Sequence, residues 1–421
     1  MSKKILTGVL LTVLLAVSLS MTGCGSGYTP VTVDLAGDLV LGADPDKSIS
    51  DTDADPQAVK LHSLSEQLFA ETWQSCGENA NFLMSPLSLL EVLGMVSEGA
   101  GGKTGQQLED FFGYSTNAVS QHMRHLENNL PSEKDAKLEI ANSIWIRNTE
   151  SLQVKEDFLK NVKGYYDASV FQSTFDDNTV KDINQWCSDN TDGMIEEMLE
   201  QIEPQQMMFL INAICFDAKW ADPYEKGDVF EGEFYPEDGS IAAVSYMRSE
   251  EYGYLEDENT AGFIRPYKEG YSFVALLPKK GLSMREYLAG FHGEKLETLL
   301  REQKEEPVFC ILPKFSGETS MKLVDVLIRS GITDLFDPEK ADLTKMAHLN
   351  GESLYVSQII QKTFIEVDEQ GTRAAAITMA AAEGAAEPMN VVNLSRPFVY
   401  AIVENESQLP VFFGVVMNPA E

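Results

Sequence analysis

Histidine and cysteine are scarce in this chain, five of each in 421 residues, and 32 basic side chains face 66 acidic ones, a net charge of −34 at pH 7. Each shortage excludes something. Nucleic acid is not expected as a partner, because binding a polyanion needs positive charge. His62, His122, His125, His292 and His348 are scattered, and no H-E-x-x-H or G-x-S-x-G stretch occurs, so neither common hydrolase signature is present. His122 and His125 lie three apart on a predicted helix and are expected at the surface. Cys24, Cys76, Cys187, Cys215 and Cys310 are widely spaced with no C-x-x-C, which fits neither a zinc site nor a disulfide framework. Cys215 and Cys310 sit in apolar runs and are expected in the core. Neither metal nor cofactor is expected.

Long hydrophobic runs are also few. Ile5–Met21 follows Lys3 and Lys4 and is short for a membrane span. Charge followed by an apolar core reads as a secretory signal over residues 1–23. Gly23-Cys24 at its end resembles a bacterial lipoprotein processing site, with Cys24 as the lipidated mature N-terminus. The expected location is therefore the outer face of a bacterial cell membrane, with shedding from it left open. Residues 24–56 are rich in Asp and lack helical periodicity, the composition of a solvated acidic tether. Extended, it would reach ~110 Å. The 43% of hydrophobic residues suffices for a large core in the remainder of the chain, residues 57–421.

That body mixes both periodicities. A helix is predicted from Asp55-Pro56 to about Trp73, with Leu61, Leu64, Leu68 and Phe69 on one face. Asn81–Ser88 reads as a short strand opening a helix at Ser85/Pro86. Gly102-Lys103-Thr104 mimics a phosphate loop, but Ser97 holds the leading glycine position and a helix precedes it. Glycines closing one helix, with Thr104 capping the next over Gly105–Phe112, are the simpler reading. Further helices are expected over Phe158–Tyr166, Lys181–Leu199 and Lys322–Ile328. Strands are expected at Ile140–Ile146 and Val308–Phe315, and within Phe230–Met247, Tyr252–Pro266 and Phe273–Leu277. Phe209–Trp220 is a long apolar strand with a central Asn212, as a strand buried on both faces reads.

Near the C-terminus, two strands at Thr363–Val367 and Phe398–Val403 enclose an alanine-rich stretch, Glu369–Pro388. A loop of that length in a compact domain is usually functional or disordered. Its parity carries information, since alternate strand residues face opposite sides. Thr372, Ala374, Ala376, Thr378, Ala380 and Ala382, all small, share one side, and Arg373 and Glu383 fall on the other. The segment can thus join a sheet with its charges on one face. A helix over Thr372–Ala382 is the competing reading, because alanine is the best helix former.

Glu369–Thr378 resembles the hinge of the inhibitory serpins, with Gly371, Thr372 and Ala374, Ala375 and Ala376 in place. Asn81–Ser88, Ala141-Asn142-Ser143-Ile144, Ile211–Trp220, Leu312–Phe315, Gly331–Phe336 with Ala341-Asp342-Leu343, Arg396–Tyr400 and Phe412–Val416 resemble serpin motifs in serpin order. The resemblance implies an α+β fold of three β-sheets and eight or nine helices with an exposed reactive loop, about 369–393. It implies a non-enzymatic suicide-substrate inhibitor of serine proteases, which traps the acyl-enzyme by inserting the cleaved loop into the central sheet.

By the same resemblance Ser85, Ser88, Asn212, Trp220, Lys314 and Gln361 control the opening of that sheet, with Glu369 paired to Lys314 near the hinge. The family's spacing from Glu369 places the scissile bond at Ala385–Ala386, or one residue to either side. A methyl group there suits a small primary pocket, hence an elastase-like protease held in a covalent complex by a monomer. Three departures stand out: Arg373 where the family often has Glu, Gln361 where it has His, and Ser395 where Asn or Asp is usual. The alternatives are a non-inhibitory serpin-fold surface binding protein and an inhibitor of a papain-like cysteine protease. The physiological target, the organism, any exosite or allosteric cofactor and the disulfide state of Cys76, Cys187, Cys215 and Cys310 are not legible.

Overall fold

The computed structural model describes residues 32–39, 56–76, 80–132, 134–348, 351, 353–372 and 390–420. Strand β1 (Val33–Asp34) precedes helix α1 (Pro56–Cys76), and β2 (Phe82–Met84) runs into α2 (Pro86–Gly99). The Ser85 hydroxyl accepts the Ser88 amide at the start of α2, and Pro86 brings no N–H that would go unpaired there. Then come α3 (Gly102–Phe112), α4 (Thr116–Asn129), β3 (Ala136–Arg147), β4 (Gln153–Val154), α5 (Glu156–Tyr166), β5 (Ser169–Ser173), α6 (Asp177–Asp189) and β6 (Met208–Lys219). A strand-rich stretch follows with β7 (Val229–Phe234), β8 (Ala242–Glu251), β9 (Gly253–Glu256), β10 (Thr260–Pro266) and β11 (Tyr271–Pro278). Two short helices, α7 (Met284–Ala289) and α8 (Lys295–Arg301), lead to β12 (Val308–Pro313), β13 (Phe315–Lys322) and α9 (Val324–Arg329). The chain ends with β14 (Ala347–His348), β15 (Gln358–Val367), β16 (Gly371–Thr372), β17 (Asn390–Asn393), β18 (Phe398–Glu404) and β19 (Pro410–Val416).

The strands form a seven-stranded sheet (β1-β5-β3-β6-β16-β15-β13), a six-stranded sheet (β2-β19-β18-β11-β10-β9) and a four-stranded sheet (β17-β12-β8-β7). A small pairing of β4 with β14 adds to the three expected sheets. Nine α-helices are found among the described residues. Helix α2 packs against both β6 and β19, and Leu87, Leu89, Leu90, Val92, Leu93, Met95 and Val96 are all buried. A helix apolar on every side has to lie inside. In the central sheet β6 pairs with β3 antiparallel and with β15 parallel, Phe209–Ile214 against Gln358–Thr363.

Several expectations need correction. The helix expected over Lys181–Leu199 ends at Asp189, because Asp192 and Gly193 take left-handed backbone angles (φ 49° and 77°) and turn the chain. Ile195 and Met198 still bury themselves beside Ile183, so the apolar pattern outlasts the helix. Helix α3 begins at Gly102 with Gly101 at its cap. Thr104 lies buried inside it, where its hydroxyl accepts the Asp342 amide. Val308–Phe315 is two strands, broken at Lys314, where the chain passes from the four-stranded to the seven-stranded sheet. Lys322 belongs to β13, and the following helix starts at Val324. His122 is buried rather than exposed.

Part of the acidic segment is structured. Val33 and Asp34 pair with Gln172 and Phe171 of β5, the Leu35 amide donates to Val170, and Ala36 is buried. An otherwise open edge of the central sheet supplies the reason, since unpaired strand groups need a partner.

Candidate functional site: the hinge and the seam of the central sheet

Beyond β15 the chain reverses sharply. The Asp368 carboxylate accepts the Gln370 and Gly371 amides (2.8 and 3.2 Å), and the Asp368 amide donates to the Gly371 carbonyl (3.0 Å). The reversal sends Gly371 and Thr372 between β6 and β15, antiparallel to both, with Thr372 opposite Ala218 and Val367. A Cβ on Gly371 would stand 2.0 Å from the Ala218 carbonyl oxygen, so no other residue fits there. Thr372 is fully buried, and its hydroxyl hydrogen-bonds that of Tyr267.

Trp220 organises this turn. Its indole N–H donates to the Asp368 carbonyl, its own amide to Gln370 and the Tyr224 amide to Glu369, each at 2.9 Å. Three consecutive hinge carbonyls are therefore held by one short stretch. The Trp220 ring stacks on Tyr267 at 4.5 Å with 6° between planes. Beside it, Lys314 and Glu369 form an ion pair, both partly exposed.

Lower down, a polar row crosses three strands. Asn142 and Asn212 face each other across β3 and β6, and Gln361 faces Asn212 across β6 and β15. Asn212 Nδ2 donates to Asn142 Oδ1 and Asn142 Nδ2 to Glu91 Oε2, both at 2.8 Å. Gln361 accepts the Ser85 amide (3.0 Å) and donates to its carbonyl (2.9 Å). Ser88 contributes its amide to Ser85 Oγ at 3.2 Å. Burial, with a smaller push from Glu127, raises the Glu91 carboxyl to about 8, so it is mainly neutral at pH 7. Each of these side chains except Ser88 thus has a partner, as buried polar groups require. Ser88 Oγ and the second amide atom of Asn212, Oδ1, have none among the described residues.

The expected residues fall into two groups around one seam: Trp220, Lys314, Glu369, Gly371 and Thr372 at its top, and Ser85, Ser88, Asn212 and Gln361 beneath it. Cys24, Arg373, Ala374, Ala375, Ala376, Thr378, Ala385 and Ala386 lie outside the described residues. Sequence reasoning missed Glu91, Asp368, Tyr224 and Tyr267, and gave Asn142 no role. Asn142 carried the same signal as Asn212, an amide within an apolar strand. Tyr267 carried none. Cys187, Cys215 and Cys310 are buried free thiols, and burial pushes Cys215 up to about 12, which leaves it inert.

A match to the family described as Serpin (serine protease inhibitor) spans residues 60–419. The chain belongs to the serpin family. It is similar to the plasma serine protease inhibitor of Bos taurus, 30% identical over 352 residues that cover 80% of this chain and 85% of that protein. Among solved structures it resembles the thermophilic serpin tengpin in its native state, with 37% identity, 92% of this chain and 99% of that chain covered, and a TM-score of 0.86. Against the latent state of tengpin the identity is 38%, the coverage 87% and 99%, and the TM-score 0.77. The α+β serpin fold expected from the sequence is the one observed, and the family's general activity is inhibition of proteases.

Proposed function

We propose that this serpin is an irreversible suicide-substrate inhibitor of elastase-like serine proteases. The protease's own serine attacks the carbonyl of Ala385, the Ala385–Ala386 peptide bond breaks with the serine's proton passing to the leaving Ala386 amine, and Ala385 is left as the acyl group of an acyl-enzyme. The freed loop then continues the strand that β16 begins, carrying the tethered protease with it. The inhibitor supplies no catalytic residue.

The observation that carries this reading is the register of β16. On the proposed insertion, that register continued would set Ala374 between Phe216 and Ile365, Ala376 between Ile214 and Thr363, and Thr378 between Asn212 and Gln361. Thr372, Ala374, Ala376 and Thr378 then share the buried face with Asn212, and the hydroxyl of Thr378 meets the polar row. The flanking strands run to Met208 on β6 and Gln358 on β15, which on an inserted loop would correspond to Ala382 and Ala381. On the opposite face Arg373 would then arrive between Asp217 and Glu366, two carboxylates directly across from it. A small residue before the scissile bond selects a small primary pocket.

Incubation with pancreatic elastase tests the proposal. An adduct that survives SDS is expected, with the cut after Ala385. Cleavage without an adduct would make the protein a substrate or non-inhibitory binder, and an adduct with papain alone would reassign the target to cysteine proteases. For the N-terminal segment we propose lipidation at Cys24 and display of a monomer on the outer face of a bacterial membrane. Mass spectrometry of the N-terminal peptide and fractionation of Cys24→Ser check it.

A further inference from the structure

Behind Trp220 lies a buried ion pair that the trapping mechanism has not used. Arg265 on β10 and Glu251 on β8 are 4% and 9% exposed and joined through Arg265 Nη1. The other Arg265 amino group donates to the Asp222 carbonyl. Its guanidinium carbon stands 3.9 Å over the Tyr224 ring and 4.9 Å over the Trp220 ring. One planar cation thus touches three points of the Trp220–Tyr224 turn, the same turn whose N–H groups hold the hinge carbonyls of Asp368, Glu369 and Gln370.

We propose that Arg265 and Glu251 are a positioning pair for loop insertion. They fix the Trp220–Tyr224 turn, and the turn keeps Gly371 and Thr372 seated between β6 and β15. Insertion then starts from a strand already begun. Without that start, the first residues must be ordered before any ladder rewards them, the costly step in every cooperative structure. The chemistry of the pair fits a positional role. A buried ion pair is often no more stabilising than apolar residues of similar volume, so stability alone does not explain it. Lysine cannot replace the arginine, because stacking on two rings while forking to a carboxylate and a carbonyl needs a planar guanidinium.

The idea rests on trapping by insertion, so its test has one readout that does not involve a protease. Hydrogen exchange at the Trp220 and Tyr224 amides is compared in the wild type, in Arg265→Lys, and in the double variant Arg265→Leu/Glu251→Leu, which leaves no unpaired buried charge. In both variants these two amides are expected to exchange about tenfold faster, with amides of α2 unchanged. In parallel, the stoichiometry of elastase inhibition is expected to rise at least about threefold while the rate of acyl-enzyme formation stays the same, because only the step after acylation slows. Leu299→Ala, a destabilising change in α8, serves as a control and is expected to leave the stoichiometry alone. Unchanged exchange at Trp220 and Tyr224 overturns the proposal, as does a stoichiometry that rises equally in the control. A wild type that forms no adduct refutes the inhibitory reading instead, and the exchange result still decides whether the pair positions the turn.

Discussion

Cutting the chain within Gly384–Ala386 is expected to raise the unfolding midpoint, the opposite of what a nick does to an ordinary loop. In the intact protein β6 and β15 share a single parallel ladder, Phe209–Ile214 against Gln358–Thr363. Insertion replaces it with two antiparallel ladders. About ten residues, each pairing on both sides, make about twenty backbone hydrogen bonds where about six are lost, and each is worth ~1 kcal/mol net. Burying Ile377, Met379 and the alanines adds ~8 kcal/mol, while ordering the loop backbone costs ~12 kcal/mol. What remains is on the order of 10 kcal/mol. With an unfolding entropy near 2.1 cal/mol/K per residue, that shifts the midpoint of a domain this size by roughly 13 °C. Calorimetry of intact and elastase-nicked protein measures the difference, and mass spectrometry locates the cut. An equal or lower midpoint for the nicked form would refute the insertion mechanism and leave a serpin fold with a sensitive loop.

Thr372→Arg is expected to turn the inhibitor into a substrate, because the fully buried hydroxyl beside Tyr267 would become an unpaired buried charge costing several kcal/mol; an unchanged stoichiometry of inhibition would show the hinge assignment to be wrong. Arg373→Glu is expected to slow insertion by about two- to thirtyfold, since it sets like charges opposite Asp217 and Glu366 at ~0.2–1 kcal/mol each; an equal or faster rate in stopped-flow fluorescence would contradict the register. Glu369→Lys removes a partly exposed ion pair with Lys314 worth ~0–1 kcal/mol, so the midpoint should barely move while warming produces polymers through the loosened seam; a variant that stays monomeric on a native gel argues against this. Glu91 holds a proton in the folded state that the unfolded chain releases, so it lowers stability as pH rises from about 4.5 to about 8. Glu91→Gln is therefore expected to gain up to about 4 kcal/mol at pH 8 and nothing at pH 4, read from melts across that range, and parallel profiles for the two proteins would count against a buried neutral carboxyl.

The central sheet was legible because its strands announce themselves locally. Phe209–Trp220 is apolar throughout, and a lone Asn212 within it marks a place where burial has to be matched by hydrogen bonds. At Glu369–Pro388 the two-residue period of a strand separates small residues from charged ones, and within the described residues Gly371 and Thr372 pair as a strand. Other features depend on residues far apart in the chain. Arg265 and Glu251 meet across β10 and β8, Tyr267 reaches Thr372 over 105 positions, and neither end signals the other. The strand at Val33–Asp34 was hidden for a different reason: its own composition is that of a polar tether, and the open edge of β5 decides its structure. The overlong helix at Lys181–Leu199 shows periodicity outrunning geometry. Asn190–Gly193 carried a turn signal, and the apolar residues beyond it kept a helical spacing while packing as irregular chain.

The proposed insertion requires β6 and β15 to part, and the polar row beneath them bears on how that would happen. Its hydrogen bonds lie on either side of the seam and not across it. Asn212 bonds to Asn142 on its own side, Gln361 bonds to Ser85, and the Thr363 hydroxyl donates to the Leu83 carbonyl. Among the described residues no side-chain hydrogen bond joins Asn212 to Gln361, although they are direct neighbours across β6 and β15. Parting the strands therefore exposes amides that keep their partners, and the barrier falls on the parallel ladder and on the segment that covers it. A tie to that cover is visible, since Lys362 on β15 donates to the Glu197 carbonyl in the chain after α6 while pairing with Glu318 on β13. An apolar seam would gain from closing and resist reopening, because its two faces would have only each other to bury against. With amides bonded from the side and Asn212 Oδ1 left over as an acceptor, the proposed insertion would bring the Thr378 hydroxyl to that acceptor without displacing a side-chain bond of the row.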